Sequence, residues 1–511
     1  MIDDLWYKNA VIYSLDIDTF MDANGDGVGD FEGLIRRLDY LDSLGVDALW
    51  LAPFQPSPKK DNGYDISDYY GVDPAYGSSG DFVEFMTQAK KRGMRVILDL
   101  VANHTSNEHP WFRQARRNPD SPYRNWYLWS KKRPPNWNKG MVFPGVQKAV
   151  WTRDPLAREY YHHRFYEFQP DLNVDNPEVR AEIRRIMGYW LQLGIDGFRL
   201  DAVPFIIEPS QGGSKGKLRF EYLAEMRQFL QWRAADAALL GEANVLPQEN
   251  KKYFGDGRDG LSMMFNFFAN QHLFHSLAAE DATSLAEALR ATRDIPPTAQ
   301  WGVFLRNHDE LDIDRLPRAK RELVFERFGP DPNMQLYGRG IRRRLASMLG
   351  DRQHIELANS LLFSLPGAPV MRYGDEIGMG EDLSLKERDA VRTPMQWSNK
   401  PNAGFSTAKR LVHPVISGGP YGYQTVSVEA QRRDPGSLLN WMVNLIRTRK
   451  ECPEIGWGEW TLLRTGSKAV LGICYSRRGN RVVVLHNFSR RPRQVRLRVE
   501  GEDGRTLANL M

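Results

Sequence analysis

Short apolar runs alternate with stretches of helical periodicity along the first hundred residues, and this alternation limits the fold more than any other feature. Residues 10–14, 46–51 and 96–101 are typical of strands, and the two helices between them are predicted to begin at Asp30 and Ser79. Strands that are separated by helices pair in parallel through right-handed crossovers. The sequence therefore predicts an α/β fold built on a parallel sheet.

Two long segments interrupt this alternation. Residues 103–173 are rich in Trp, Tyr, Pro, Asn and Arg and are too long for an ordinary loop, so we expect an inserted subdomain there. Residues 310–350 are dense in charge, and we expect them to form a second insertion. Five further strands are predicted around these insertions, at residues 195–203, 238–244, 261–268, 301–307 and 369–373.

Three acidic residues stand where predicted strands end. Asp201, Glu242 and Asp309 each close a short apolar run. Acids from three different strand ends indicate a (β/α)8 TIM barrel whose active site lies at one rim. Cleavage of a sugar acetal needs such a set, because one carboxylate attacks, one acid protonates the leaving oxygen and negative charge stabilises the oxocarbenium-like centre.

The last part of the chain changes its pattern. Residues 481–486 and 494–499 alternate with a period of two, which predicts a small antiparallel β domain. The expected domains are therefore the first part of the barrel, the inserted subdomain, the second part of the barrel and the C-terminal β domain, at residues 1–102, 103–173, 174–454 and 455–511.

Composition narrows the class of protein. The formal charge of +5 is a small difference between 69 basic and 64 acidic residues, and the basic residues are spread along the chain, which argues against a nucleic-acid partner. Only Cys452 and Cys474 occur, which favours a reduced cytoplasm over a secreted disulfide scaffold, although one bridge between them is left open. The N-terminus lacks the features of a signal peptide and no segment is apolar enough to span a membrane, so we expect a soluble, cytoplasmic protein.

Four segments, taken in order, resemble the motifs of glycoside hydrolase family 13, the α-amylase superfamily. They are residues 99–104 (DLVANH), 197–201 (GFRLD), 241–243 (GEA) and 306–309 (RNHD). Within that superfamily the chain most closely resembles the trehalose synthases, with similar segments from Trp6 to Leu439 that include VRTPMQW at residues 391–397. The resemblance implies a retaining enzyme that interconverts maltose and trehalose by intramolecular glucosyl transfer.

Two other functions are kept as alternatives. The first is an α-glucosidase or transglucosylase that acts on short α-glucosides. The second, a non-catalytic binding protein of the same fold, is less favoured because all three acids are present. In each case the partner is a small sugar, with no nucleic acid and no membrane, and the oligomeric state is left open.

The resemblance gives the three acids their roles. Asp201 is expected to attack and form a covalent β-glucosyl ester, Glu242 to act as general acid and base, and Asp309 to stabilise the transition state. Arg199 precedes Asp201 by two residues on the same strand, so both side chains point to one face, where the positive charge would keep Asp201 ionised. The alternative for Arg199 is an ion pair below the rim.

Seven further residues are expected to bind substrate by the same resemblance. His104 and His308 would donate to glucose hydroxyls, and Tyr64 would form a stacking platform. Asp61 and Arg392 resemble the pair that grips the far edge of the non-reducing glucose, although Asp61 and Tyr64 also suit a simple turn. Phe165 and Gln169 are expected to line the neighbouring subsite.

A loop near the N-terminus has the spacing of a cation site. Residues 22–30 place oxygen donors at alternate positions, with glycines between them, like the first half of an EF-hand loop. The expected ligands are Asp22, Asn24, Asp26, Asp30 and the carbonyl of Val28. Ca²⁺ is favoured over Mg²⁺, and a metal-free turn is the alternative.

A second cation site is implied by the resemblance to trehalose synthases. Its ligands would be Asn103, Asp171, Glu208 and the carbonyls of Phe205 and Ile206, and it would join the inserted subdomain to the rim. The alternative is a hydrogen-bonded joint. Either ion would be structural, and no organic cofactor is expected.

The chain departs from its family just after the catalytic acid. Trehalose synthases usually continue Ala-Asn-Gln-Trp-Pro there, whereas this chain has Ala243-Asn-Val245-Leu246-Pro247. A hydrogen-bond partner and a stacking face are thus replaced by two aliphatic side chains. We expect weaker retention of the released glucose, and hence more hydrolysis.

Overall fold

The computed structural model describes residues 3–209, 217–499 and 508–510. Its strands in these ranges are β1 (Ile12–Leu15), β2 (Ala48–Leu51), β3 (Arg95–Leu100), β4 (Trp129–Ser130), β5 (Trp151–Arg153), β6 (Tyr160–His162), β7 (Gly197–Leu200), β8 (Ala238–Gly241), β9 (Met263–Phe265), β10 (Gln300–Phe304), β11 (Leu311–Asp312), β12 (Gln335–Leu336), β13 (Gly340–Ile341), β14 (Ala368–Arg372), β15 (Glu459–Leu462), β16 (Val470–Arg477) and β17 (Asn480–Asn487).

Eight of these strands close into a parallel barrel in the order β1-β14-β10-β9-β8-β7-β3-β2. All eight correspond to the strands predicted from apolar runs, so the predicted (β/α)8 fold is confirmed. Inward-pointing side chains fill the interior of the barrel, among them Trp50, Ile97, Leu240 and Val370. Each strand is buried along its length, as a sheet covered by helices requires.

Helices surround the barrel and cover its outer face. They are α1 (Phe31–Arg36), α2 (Leu38–Leu44), α3 (Ser79–Lys91), α4 (Pro110–Arg117), α5 (Pro177–Gln192), α6 (Val203–Ile206), α7 (Phe220–Arg233), α8 (Asn250–Phe254), α9 (Phe267–Ala279), α10 (Thr283–Ala291), α11 (Arg318–Phe328), α12 (Leu345–Leu349), α13 (Arg352–Ser364), α14 (Val428–Arg433), α15 (Leu438–Glu451) and α16 (Glu454–Trp457).

The first two barrel helices begin nearly where the sequence predicts. Asp30 caps α1 by accepting a hydrogen bond from the amide of Gly33, but the helix is divided at Arg37 and continues as α2 to Gly45. The second is capped one residue earlier than the sequence predicts, because the hydroxyl of Ser78, not that of Ser79, accepts the bond from the amide of Asp81. The side chain of Asp81 accepts in return from the amide of Ser78, which completes a capping box.

Three small antiparallel sheets are added to the barrel. The order β4-β6-β5 lies within residues 103–173, β11-β13-β12 lies within residues 310–350, and β15-β16-β17 forms the C-terminal domain. The prediction of a strand at residues 494–499 is wrong, because those residues are described and form no ladder with another strand. Alternation alone supplies one apolar face, whereas a strand also needs a neighbour for its backbone groups.

Two further sequence expectations concern the thiols and the membrane. Cys452 and Cys474 are both buried, and no disulfide joins them. Across the described ranges, none of the helices combines the length and the apolar content that a bilayer crossing demands.

Candidate active site

A pocket of about 510 Å³ opens at the carboxyl ends of the barrel strands. Asp201 directly follows β7, Glu242 directly follows β8, and Asp309 comes five residues after β10, so the three predicted acids reach one rim from three strands. All three line this pocket, together with the predicted substrate residues Asp61, Tyr64, His104, Phe165 and His308. The barrel topology, and not sequence proximity, brings these side chains together.

Arg199 does not line the pocket but lies buried behind its acids, where it joins three carboxylates. Its Nη1 is 2.9 Å from Oδ1 of Asp201 and its Nη2 is 2.7 Å from Oε2 of Glu242. It also contacts Asp99, which in turn accepts a hydrogen bond from the indole of Trp50. A planar guanidinium that is 1% exposed thus holds the two central acids side by side.

Burial sets the charge state of the two central acids. Burial raises the pKa of Asp201 to about 6, and Arg199 opposes that rise with its positive charge. Burial also raises the pKa of Glu242, again against Arg199 and with support from the negative charge of Asp201. An elevated pKa suits a general acid that must carry its proton near neutral pH.

Asp309 has the opposite electrostatic environment. Burial alone would raise its pKa, but the hydrogen bond from His308 and the positive charges of Arg388 and Arg392 hold that pKa well below its usual range. Nη1 of Arg388 and Nη2 of Arg392 lie 2.8 and 3.0 Å from the same oxygen of Asp309. Asp309 therefore remains an anion, which is the state that stabilises an oxocarbenium-like centre.

The two predicted histidines differ in their contacts. Nε2 of His308 lies 2.8 Å from the Tyr64 hydroxyl and 3.2 Å from Asp309, and the rings of His308 and Tyr64 stack at 5.4 Å. Nε2 of His104 lies 3.2 Å from the carbonyl oxygen of Tyr64, and its ring contacts Phe165. Burial lowers the pKa of both imidazoles, so both are neutral hydrogen-bonding groups.

The arginine that contacts Asp61 is one that the sequence did not single out. The resemblance named Asp61 and Arg392 as the pair that grips the glucose, whereas Nη2 of Arg388 lies 2.7 Å from Oδ1 of Asp61. Arg392 donates instead to the carbonyl of His308 and to Asp309. The two arginines are four residues apart and both reach Asp309, but only Arg388 also contacts Asp61. Gln169 is fully buried and donates to the other oxygen of Asp61, so it orients that acid and does not line the pocket.

The opposite end of the pocket holds residues that the sequence did not single out. Nη1 of Arg339 donates to the carbonyl of Val142 at 2.6 Å, while its Nη2 lies 3.2 Å from Glu310. Glu310, Asp312 and Arg339 all line the pocket. This contact fastens the tip of the inserted subdomain, residues 140–143, to the insertion at residues 310–350; we call it the clasp. In the sequence, the only indication of this contact was the high density of charged residues at 310–350. Such a density is equally typical of a solvated surface.

The two residues that depart from the family pattern, Val245 and Leu246, have different environments. Val245 is buried and lines the pocket beside Asn244, whereas Leu246 is 44% exposed and lies outside it. Of the two residues, only Val245 can therefore contact a ligand in the pocket.

The loop at residues 22–30 has the oxygen donors that a hard cation needs. Asp22 accepts from the amides of Gly25 and Gly27, and Asp30 accepts from those of Ala23, Asn24 and Gly33. Oδ1 of Asp22 and Oδ1 of Asp30 each accept one hydrogen bond and keep a further lone pair for a cation, whereas Oδ2 of each accepts two. Among the described residues no three acidic, His or Cys side chains converge on one point, so the amide of Asn24 and the carbonyl of Val28 would complete the set. Calcium here stays a prediction.

Hydrogen bonds and ion pairs connect the side chains of the second expected cation site. The amide of Asn103 donates to Asp171 at 3.1 Å, and Asp171 also pairs with His162 at 2.9 Å. Glu208 forms an ion pair with Arg164. These contacts are compatible with the hydrogen-bonded joint, and a cation bound by these residues stays a prediction.

Comparison with known proteins agrees with this geometry. A family described as alpha amylase, catalytic domain, matches residues 13–321 and 341–458. The trehalose synthase of Thermus thermophilus is 46% identical over 98% of the chain, which spans only 52% of that protein, and trehalose synthase/amylase TreS of Mycobacterium tuberculosis is 43% identical over 97% of the chain and 84% of its own length. Among solved structures, the trehalulose synthase of Pseudomonas mesoacidophila superposes with a TM-score of 0.76 at 29% identity, over 96% of this chain and 92% of that one.

Proposed function

Since this chain belongs to the α-amylase family, we propose that it interconverts maltose and trehalose by retaining glucosyl transfer. The relatives named trehalose synthase support this choice, as they align with nearly the whole chain. The observation that carries the proposal is the shared guanidinium of Arg199. It holds an attacking carboxylate and a proton donor next to each other, as retention requires.

In the first step Asp201 attacks the anomeric carbon of the non-reducing glucose. The bond from that carbon to the bridging oxygen breaks, and Glu242 gives its proton to the leaving oxygen. Asp309 stabilises the positive charge that develops at the anomeric centre. Asp61 and Arg388 hold the far edge of the same glucose and close the pocket, which favours short substrates over internal attack on a polymer.

In the second step the released glucose turns within the pocket. Its anomeric hydroxyl attacks the glucosyl ester while ionised Glu242 accepts the proton, and the free carboxylate of Asp201 returns. The clasp and the lining at residues 140–143 enclose the space where this sugar must stay. Water that enters before the sugar reacts gives free glucose.

Hydrolysis of short α-glucosides is the second candidate function. The buried Val245 favours it, because an aliphatic side chain offers no hydrogen bond to the sugar at the leaving end. The loop at residues 22–30 is proposed to hold a structural Ca²⁺ under either function, since its donors are oxygens and the proposed chemistry uses only carboxylates.

One product analysis separates the two functions. The protein is incubated with maltose and, separately, with trehalose, and the sugars are resolved by chromatography over time. Formation of trehalose from maltose, and of maltose from trehalose, supports the isomerase. Glucose alone from both substrates overturns it in favour of the glucosidase. A fluorinated glucosyl probe that slows the second step, followed by peptide mass spectrometry, is expected to label Asp201.

A further inference from the structure

A trough on the outer face of the barrel lies between α5 and α7, away from the catalytic rim. Its volume is about 630 Å³, and a second depression of about 430 Å³ continues it along α5. The two share Arg184, Phe229 and Arg233, so they form one extended surface, which we call the α5–α7 trough. None of its residues belongs to the pocket at the barrel rim.

The trough carries an unusually exposed aromatic side chain. Trp232 is 84% exposed, more than any other large apolar side chain in the described ranges. The buried face of α7 consists of Tyr222, Leu223, Met226 and Leu230, so the indole is not needed for packing against the barrel. An indole left in water is a large apolar surface that gains free energy when a ligand covers it.

Polar side chains are fixed beside that indole. Glu225 accepts from Arg180 at 2.9 Å and from Arg184 at 3.1 Å, and Nε of Arg180 also donates to the carbonyl of Val174 at 2.6 Å. Glu225, Gln228 and Trp232 recur at intervals of three and four residues, so they share one face of α7. The donors and acceptors are thus held in place before any ligand arrives, which reduces the entropic cost of binding.

The charge balance of this array selects a class of ligand. Four arginines line the trough: Arg180 and Arg184 pair with Glu225, Arg185 pairs with Glu182, and Arg233 lies over the ring of Phe229. A phosphate or an acidic peptide would therefore have to compete with a carboxylate already in place at three of these four cations. An apolar helix of a partner protein would meet mainly charged side chains. A neutral sugar suits the surface, because its hydroxyls accept from guanidinium groups and donate to carboxylates while its C–H face covers an aromatic ring.

We propose that the α5–α7 trough is a second carbohydrate-binding site, which holds glucose units of an α-linked chain with one pyranose ring on Trp232. The α-linkage rests on the proposed function, whereas the binding of a neutral sugar rests on the trough itself. The site holds its ligand without chemistry, because the trough has no pair of free acids. It would keep the protein on an α-glucan that supplies short α-glucosides.

Affinity electrophoresis in native gels tests this proposal without any turnover. The full chain with Asp201→Asn is run through gels that contain glycogen, a β-glucan or no polysaccharide. We expect glycogen to retard this protein and the β-glucan to leave it unaffected. Adding Trp232→Ala is expected to weaken the apparent affinity at least about fivefold, whereas Trp232→Phe keeps a ring and is expected to retain most of it.

Two controls complete the experiment. Leu156→Ala removes another strongly exposed apolar side chain, 57% exposed, and is expected to leave retardation unchanged. In the background with Asp201 intact, Trp232→Ala is expected to leave maltose turnover unchanged. The proposal is overturned if glycogen does not retard the parent, if Trp232→Ala runs like the parent, or if the β-glucan retards it equally. It is also overturned if Trp232→Ala changes the sedimentation coefficient, since the trough is then a subunit interface. Failure of the isomerase assay with intact retardation would reject only the proposed function.

Discussion

At the scale of single residues, the catalytic centre is organised by arginines. Arg199 joins Asp201 to Glu242, and Arg388 joins Asp61 to Asp309. Buried carboxylates repel one another and lose hydration, so a site with this many acids requires permanent cations between them. Burial raises the pKa of Asp201 and Glu242, and Arg199 limits that rise for both.

Replacement of the two central acids is expected to separate their roles. Asp201→Asn should lower kcat by about 10⁴-fold or more for every substrate, because an amide does not attack the anomeric carbon. Glu242→Gln should lower turnover of maltose by about 10²–10⁴-fold but slow formation of the glucosyl ester from activated aryl glucosides much less, because those leaving groups need little protonation. Steady-state and burst kinetics on both substrates measure this. Equal losses on both substrates would remove Glu242 from the acid role.

The pH profile is expected to report the buried nucleophile. Asp201 must be ionised to attack, and burial raises its pKa to about 6. Because of the raised pKa, Asp201 becomes protonated as pH drops through about 6. The value of kcat/KM should therefore fall over that range and be nearly constant at higher pH. The measurement is the dependence of kcat/KM on pH between about 4.5 and 8, with an activated aryl glucoside as substrate. The pKa of the acidic limb of this profile belongs to the coupled acids as a group. A limb near the ordinary aspartate value would contradict this burial effect.

At the scale of elements, the clasp links two insertions across the mouth of the barrel. Residues 140–143 come from the inserted subdomain, and Arg339 comes from the insertion after β10. The ring of Phe143 stacks on Tyr166 at 4.8 Å and contacts Tyr337 at 4.9 Å, which extends the same contact. Both insertions therefore contribute to the wall of the pocket.

Opening the clasp is expected to shift the products of maltose toward glucose. Arg339→Met removes a charge-assisted hydrogen bond of about 1.5–3 kcal/mol, and each ~1.4 kcal/mol changes the ratio of isomerisation to hydrolysis about tenfold. Arg339→Lys should retain part of the isomerised product. Arg318→Gln, on an exposed pair in the same insertion, is the matched control. A product ratio that is the same in all three variants would place sugar retention elsewhere.

A smaller change in the opposite direction is expected at Val245. Val245→Gln restores a hydrogen-bonding group at the leaving-sugar end, worth about 0.5–1.5 kcal/mol. The fraction of glucose should therefore fall about twofold to tenfold, with more trehalose formed from maltose. Leu246→Trp serves as the control, because Leu246 lies outside the pocket and its replacement should have little effect. If only Leu246→Trp improves retention, the pocket is wider than this structure indicates.

At the scale of the whole molecule, the N-terminal loop is tied to distant parts of the chain. Asp22 accepts from the hydroxyl of Ser406, and a Cβ on Gly27 would clash with the carbonyl of Arg410. Burial raises the pKa of Asp30, so its ionised form is costly without a cation. An ion bound here would stabilise contacts between the first and last parts of the barrel.

Removal of calcium is therefore expected to lower the melting temperature. A ligand at 100 times its dissociation constant stabilises the native state by about 2.7 kcal/mol, which corresponds to a shift of a few degrees, about 2–5 °C. Scanning calorimetry with EDTA and after addition of Ca²⁺ measures this, and the initial rate on an aryl glucoside should be unchanged. Asp22→Ala should lose the response to chelation. A melting temperature that is indifferent to EDTA and Ca²⁺ identifies the loop as a plain turn.

The sequence by itself determined the barrel and the identity of its acids. Apolar runs and helical periodicity are local patterns, so all eight strands were found without any knowledge of their neighbours. Asp201, Glu242 and Asp309 were found for the same reason, because a strand end is a local feature and parallel strands end at one rim.

Only the tertiary structure decided the contacts between segments far apart in the chain. It paired Asp61 with Arg388 and not with Arg392, and it joined Arg339 to a carbonyl 197 residues away. It also removed the strand expected at residues 494–499, since a strand depends on a partner as well as on its own pattern. Side-chain pairing and ladder formation are decided by which surfaces the fold brings together, and a local pattern carries no information about that choice.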